Sequence, residues 1–136
     1  MSANTAPIFP LTPVATVGQT VTAANTAKDG TGTVTTLYTA GANGGFVKKI
    51  VCQPMGTNVA TVARVFLNNG STNATAGNNT LIKDAILAAT TNSEVAAVGN
   101  TEIGLGFAVP AGYKINVTLG TAVSAGVAFL CVAGDY

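Results

Sequence analysis

Between Thr33 and the C-terminus, short runs of β-branched and aliphatic residues recur at regular spacing, each bounded by Gly, Asn or Pro. Ala, Thr, Gly and Val together make up 76 of the 136 residues, whereas Leu, Glu, Lys and Arg are scarce. Short runs of this composition, separated by turn residues, are typical of antiparallel strands. The pattern therefore predicts an all-β fold: an antiparallel, jelly-roll-like β-sandwich of about eight strands.

Two of the predicted strands are especially clear. Residues 59–67 are apolar on both faces, which indicates a central strand covered on both sides, and Arg64 within it requires a partner. Residues 113–119 alternate strictly, with Ile115, Val117 and Leu119 on one face. The other predicted strands are 33–39, 46–53, 81–89, 102–109 and 126–133, of which 81–89 also fits a short helix. Residues 68–79 form a long polar loop.

The N-terminal segment, residues 1–32, differs from the rest of the chain. Its three prolines lie close together and disfavour regular ladder pairing, and residues 14–24 fit no more than an irregular strand. We therefore predict two parts: an extended N-terminal arm, residues 1–32, and a β-sandwich domain, residues 33–136. The arm is expected to dock on another body, for example a neighbouring copy, with Ile8, Phe9 and Leu11 as its anchors.

Charged side chains are unusually rare, with six basic and five acidic residues in the chain. A compact monomer of this mass exposes about 6,500 Å², which leaves about one charge per 590 Å² against about one per 190 Å² for an average composition. Sheet proteins that stay monomeric usually guard their edges with Lys, Pro or inward-pointing charge. We therefore expect a homo-oligomer whose surface is largely covered by other chains. The alternative is a monomer kept soluble by Thr and Asn.

The charge distribution also bears on nucleic acids and membranes. The net charge is +1, and the one close basic pair, Lys48-Lys49, is expected to point to opposite faces of a strand, so no phosphate-binding patch is predicted. The N-terminus does not resemble a secretory signal, and the longest apolar run, residues 125–133, is too short for a membrane-spanning helix. We expect synthesis in the cytosol, with Cys52 and Cys131 as reduced, buried thiols.

Catalytic chemistry has little support in the sequence. The chain has no His, and its five carboxylates form no close pair, although Glu94 and Glu102 would meet if a turn brought them together. Two cysteines 79 positions apart do not provide the ligands of a zinc site. The Gly-rich residues 40–45 lead into a strand rather than a helix, which excludes a phosphate loop. We therefore predict no enzyme activity, no cofactor and no metal.

Two segments carry a resemblance to a known family. They are TNVATVARVFLNNG (57–70), which follows Gly56, and VPAGYKINVTLGTAVSAGVAFLCVAGDY (109–136). They resemble small proteins of tailed bacteriophages and prophages that share a Gly-Thr-Asn-Val-Ala-Thr strand, a Pro-Ala-Gly-Tyr turn and a closing Gly-Asp-Tyr. The resemblance covers residues 33–136 and brings no catalytic residue. Similar β-sandwich phage proteins often decorate or cement capsids, commonly as trimers, and others serve in tails or fibres.

The resemblance implies a structural virion protein, made in the host cytoplasm. The leading hypothesis is a capsid decoration (cement) protein, favoured as a trimer, that binds the major capsid protein and stabilises the shell. The anchors named above would hold the arm along the shell, and the 68–79 loop would face solvent. The alternative is a tail, baseplate or fibre module for host attachment, in which Tyr38, Tyr113 and Tyr136 are the candidate aromatic platforms.

Overall fold

The computed structural model describes residues 9–136, which contain nine strands and one short 3-10 helix. The strands are β1 Thr12–Ala15, β2 Gln19–Val21, β3 Thr35–Thr39, β4 Gly45–Pro54, β5 Thr61–Asn68, β6 Asn79–Leu87, β7 Thr101–Val109, β8 Lys114–Leu119 and β9 Val127–Asp135. The 3-10 helix is Ala76–Asn78. Residues 81–89, for which a helix was an alternative, are confirmed as strand by β6.

The strands form two antiparallel sheets that pack face to face. Sheet I has the order β1-β9-β4-β7, with β2 also paired to β9, and sheet II has the order β3-β8-β5-β6. The predicted all-β sandwich is therefore confirmed. Nine strands appear where about eight were expected because the first is interrupted near Gly18, which has a φ of 74° that favours glycine.

The pairing pattern is that of a jelly roll. The pairs β2–β9, β3–β8, β4–β7 and β5–β6 are nested, as in one long hairpin whose tip lies between β5 and β6. Rolling up this hairpin also brings β4 against β9 and β5 against β8. The loops consequently collect at two ends. Loops 55–60, 88–100 and 120–126 form the Asn58 end, and loops 40–44, 69–78 and 110–113 form the Asp135 end.

The core lies between the sheets and comes mainly from their central strands. Strand β8 contributes Ile115, Val117 and Leu119, all fully buried, which confirms the face predicted from alternation. The other buried core residues of the central strands are Val47, Ile50, Cys52, Ala63, Val65, Val127, Phe129 and Cys131.

Both cysteines are free and fully buried, as predicted for structural thiols. Because burial penalises the thiolate, it raises the pKa of Cys52 to about 12 and that of Cys131 to about 11, from an ordinary 9.0. Neither thiol has the low pKa or the exposure of a reactive cysteine.

These thiols predict a loss of stability at alkaline pH. Above pH 9 the unfolded thiols ionise while the folded ones keep their protons, so rising pH favours the unfolded state. The two groups together should lower the free energy of unfolding by about 3 kcal/mol between pH 7 and pH 10. Urea denaturation at both pH values measures the loss. The double variant Cys52→Ala, Cys131→Ala should be less stable at pH 7 but lose markedly less on going to pH 10. An equal loss in both proteins would contradict the assignment.

The outer face of sheet II is covered by the chain segment 22–34, which we call the strap. Three asparagine side chains hold the strap by donating hydrogen bonds from their amides to its backbone carbonyls. Asn25 donates to Thr31 and Thr33. Asn73 donates to Gly30 and Gly32, and Asn79 donates to Asp29. Within the strap, the Thr31 hydroxyl donates to Asp29 and lowers the pKa of that carboxyl.

Side chains at the centre of this outer face are buried although they do not belong to the main core, whereas Ile86 on the edge strand β6 is 80% exposed. Phe66 is fully buried, lies outside the main core cluster and stands opposite Asn116, which is also buried. Arg64, on the same face of β5, pairs with its cross-strand neighbour Asp84, with Nε 3.5 Å from Oδ1. The prediction of a central strand covered on both faces is therefore confirmed for β5, and Arg64 finds its partner within the chain.

Part of the predicted arm takes part in sheet I. Strands β1 and β2 pair with β9, and Pro13 stands opposite Gly134 in that ladder. The expectation that proline would prevent ladder pairing is wrong for Pro13, because β1 is an edge strand and a missing N–H is tolerated on its open side. The division into an arm, residues 1–32, and a sandwich, residues 33–136, stays a prediction.

Candidate docking surface

The outer face of sheet I is apolar and remains partly exposed. Strands β4 and β9 are adjacent there, and Val51 stands opposite Leu130. We call this the apolar face and define it by its partly exposed outward side chains Phe46, Val51, Ala128, Leu130 and Val132. The centres of the two sheets therefore differ: Phe66 on sheet II is fully covered by the strap, whereas the central outward side chains of sheet I still contact solvent.

Sequence reasoning did not identify the apolar face. The signal was available, because β9 is apolar at its inward and outward positions alike before Asp135, and β4 carries Phe46 and Val51 outside its inward-facing residues. Such a run is compatible with a strand covered on both sides within one chain, or with a strand whose outer face is left for a partner. Periodicity alone does not separate these two cases.

Two lysines border the apolar face. Lys48 and Lys49 were expected on opposite faces of a strand, and this is wrong because β4 has a bulge between Val47 and Lys49. Val47 and Ile50 both point into the core, so the two lysines between them both point outward. Lys49 pairs with Glu102 on β7, with Nζ 2.9 Å from Oε1, while Lys48 is exposed. Glu102, once a possible partner for Glu94, is therefore engaged with a lysine.

A small cavity of about 190 Å³ opens at the corner of the apolar face next to β1. We call it the proline pocket, lined by Pro10, Pro13, Phe46, Lys48, Val132, Ala133 and Gly134. Pro10 lies directly over Gly134, where an added Cβ atom would overlap the proline ring. The absence of a side chain at position 134 therefore lets Pro10 form one wall of the pocket.

Two of the three predicted anchors flank this wall. The side chain of Phe9 is 72% exposed and that of Leu11 is 83% exposed. The backbone at Leu11 is nevertheless fixed, because its N–H donates to the carbonyl of Asp135 at 2.8 Å. The third anchor, Ile8, lies outside the described residues. Phe9 and Leu11 are thus apolar side chains held at the edge of sheet I, and none of the residues from 9 to 136 buries them.

The Gly-Thr-Asn motif that follows β4, residues 56–58, has a structural role at the Asn58 end. Asn58 is 6% exposed, and its amide donates to the carbonyl of Gly126 while its side-chain oxygen accepts from the N–H of Ala125. The backbone of Asn58 also exchanges two hydrogen bonds with Thr90. One residue therefore joins loops 55–60, 88–100 and 120–126.

The closing Gly-Asp-Tyr has a comparable role at the Asp135 end. The Tyr38 hydroxyl donates to the Asp135 carboxylate at 2.5 Å, and the N–H of Gly41 donates to the same oxygen. Burial, together with the neighbouring carboxylate, raises the pKa of Tyr38 well above its usual range. The N–H of Tyr136 donates to the carbonyl of Gly44. These motif residues hold loops in place, and no reactive group accompanies them.

The tyrosines proposed as receptor platforms are in different environments. Tyr38 is buried in the core and presents no ring to solvent. Tyr113 and Tyr136 are partly exposed at the Asp135 end. The alternative function therefore depends on these two residues.

The described residues contain neither a metal-binding cluster nor a membrane-spanning helix. Within residues 9–136, no three Cys, Asp or Glu side chains come together as a metal-binding group. Over the same range, no helix has the length and apolar character needed to cross a membrane.

No family model, curated protein or solved structure matches this chain.

Proposed function

We propose that this protein is a structural component of a tailed-phage virion, a decoration (cement) protein that binds the major capsid protein and stabilises the shell. The observation that supports this proposal most directly is the apolar face, which lies open on a chain with very few charges. Partly exposed Phe, Val and Leu side chains on neighbouring strands gain free energy when a partner removes them from water.

The mechanism would be binding that depends on assembly. A protein that binds the assembled shell more tightly than its separate subunits stabilises the shell by mass action. Several apolar faces on one oligomer would engage the shell together, and the raised effective concentration would strengthen attachment without new contacts. A rigid sandwich suits this role, because its surface needs little reorganisation on binding.

Capsid binding should be lost when the apolar face is charged. We expect Leu130→Asp to reduce the fraction of protein that sediments with capsids, assembled from the major capsid protein of the same genome, by about tenfold or more. The control is Val95→Asp, because Val95 is 98% exposed in loop 88–100 at the Asn58 end. Unchanged sedimentation of Leu130→Asp, with Val95→Asp also unchanged, would remove the apolar face from the proposal.

The second candidate is a tail, baseplate or fibre module. It is favoured by the partial exposure of Tyr113 and Tyr136 at the end where the asparagine-rich loop 69–78 also lies, since aromatic and amide side chains suit a glycan or receptor. Electron microscopy of virions carrying a labelled copy separates the two candidates. Label over the icosahedral shell supports the cement role, whereas label on the tail supports attachment.

A further inference from the structure

The structure points to arm exchange between copies of this chain. We infer that the proline pocket of one copy takes the Phe9 or Leu11 side chain of a neighbouring copy. This inference rests on the proposed function, since it specifies how the oligomer that decorates the shell would form. It assigns a second copy of this chain as the first partner of the anchors.

The lining of the proline pocket suits an apolar side chain. Its walls are two prolines, Phe46 and Val132, and its volume of about 190 Å³ is on the scale of one large apolar side chain. The charged group at its rim is Lys48, which is exposed, whereas Lys49 is already paired with Glu102. An uncharged, apolar chain segment suits this rim, because the ammonium group of Lys48 can donate hydrogen bonds to the backbone carbonyls of that segment.

The two anchors have the chemistry of the matching insert. Residues 9–17 contain no charged side chain, and Phe9 and Leu11 project from them with 72% and 83% of their surfaces exposed. The sequence that precedes Phe9, including Ile8 and Pro7, is also free of charged side chains. Large apolar side chains this exposed and this close together are typical of a protein contact site.

A chain does not fill its own pocket with these anchors. Pro10, which separates Phe9 from Leu11, is itself a wall of the pocket and is seated on Gly134. The Leu11 backbone is tied to Asp135 on the same strand that contributes the opposite wall. Because Pro10 is fixed, both anchors stay exposed beside the proline pocket of their own chain. They are therefore free to enter the proline pocket of a neighbouring copy.

Because the anchors and the proline pocket lie side by side, two copies can exchange anchors reciprocally in a twofold, isologous dimer, or each copy can give its anchor to the next copy in a heterologous contact. Repeated head to tail it closes into a ring when the rotation between copies allows, and a trimer is the smallest such ring. An arrangement that fails to close would grow into a filament instead.

Cross-linking in solution, without capsids, tests the exchange. Two variant proteins, each with one added cysteine, are prepared: Leu11→Cys and Lys48→Cys. They are mixed and treated with a short bismaleimide under native conditions. The native thiols do not compete because both are fully buried. We expect a cross-linked pair made of one chain of each kind. A mixture of Val95→Cys with Lys48→Cys is the matched control and should give little product. Equal yields in the two mixtures would overturn the inference.

The oligomeric state provides a second measurement, by light scattering after size-exclusion chromatography. The double variant Phe9→Asp, Leu11→Asp should raise the dissociation constant of the oligomer by about 100-fold or more, whereas Val95→Asp should leave it unchanged. A wild-type protein that stays monomeric at high concentration would overturn arm exchange, and so would a double-variant oligomer as tight as wild type. If that intact oligomer also failed to bind capsids, the anchors would be capsid contacts, and the cement proposal would stand. If the wild-type protein forms the arm-exchanged oligomer but does not bind capsids, the cement proposal alone is overturned.

Discussion

Asn58→Ala should lower the free energy of unfolding by about 3 kcal/mol, because it removes two hydrogen bonds and leaves one group without a partner. The carbonyl of Gly126 and the N–H of Ala125 both bond to the Asn58 side chain, at 2.9 Å each. The Gly126 carbonyl keeps a second hydrogen bond, from the N–H of Met55, whereas the N–H of Ala125 bonds to Asn58 alone among the described residues. The site is too buried for water to replace the lost bonds freely. An unsatisfied buried polar group costs about 1–3 kcal/mol and a lost hydrogen bond about 1 kcal/mol, which together account for the expected loss.

Urea denaturation followed by circular dichroism measures this effect. Asn92→Ala is the matched control, because Asn92 lies in loop 88–100 at the same end, is exposed, and makes no side-chain hydrogen bond within the described residues. We expect the control to change stability by less than about 0.5 kcal/mol. If both variants unfolded at the wild-type urea concentration, Asn58 would not be the residue that joins the three loops.

Gly45→Ala should be more damaging still, with an expected loss of about 5 kcal/mol. The added Cβ would overlap the Tyr38 hydroxyl oxygen and would lie 2.8 Å from the carbonyl oxygen of Gly134. The Tyr38 side chain is only 3% exposed, so its ring can move away from the added Cβ only by displacing neighbouring core atoms. Overpacking costs about 1–3 kcal/mol or more. Losing the hydrogen bond to the Asp135 carboxylate adds about 1.5–3 kcal/mol.

A double-mutant cycle identifies the tyrosine hydroxyl as the cause. Tyr38→Phe alone should cost about 2 kcal/mol, since it removes the hydrogen bond to Asp135. In the Tyr38→Phe background, Gly45→Ala should cost about 3 kcal/mol rather than about 5, because the closest clashing atom is gone. Gly104→Ala on β7 is the control, because no atom lies within 4 Å of its Cβ position. Strict additivity of the two substitutions would show that the clash lies elsewhere.

The sequence predicts those parts of the fold that depend on local alternation. Residues 113–119 were assigned to a strand with one buried face because Ile115, Val117 and Leu119 recur at every second position, and that face is buried. The bulge at Lys48-Lys49 was not predicted, because two adjacent polar residues do not indicate that one of them is an extra residue in the strand. The resulting shift of register depends on the pairing with β7, a strand from the other half of the chain.

The strap and the candidate site show a second limit. The strap is held by the amides of Asn73 and Asn79, which are distant in sequence from the carbonyls they bind, and no local pattern encodes such pairing. For the site, hydrophobicity within a proline-rich segment was enough to single out Phe9 and Leu11, which are exposed, and their role as anchors stays a prediction. The apolar face and the proline pocket required the sheet order, because β1, β4 and β9 meet there only after the chain has rolled up.

The nested pairing also sets the order of events during synthesis. Gln19 pairs with Phe129 and Thr12 with Asp135, so the first strands to leave the ribosome wait for the last strand to arrive. Contacts this distant in sequence slow folding, because a long loop must close before they form. The proline pocket has walls from residues 10 and 13 and from residues 132–134, and it is therefore complete only after β9 has been synthesised. Under the inferred arm exchange, a nascent chain that still lacks β9 has no pocket in which to take the N-terminal segment of a neighbouring chain.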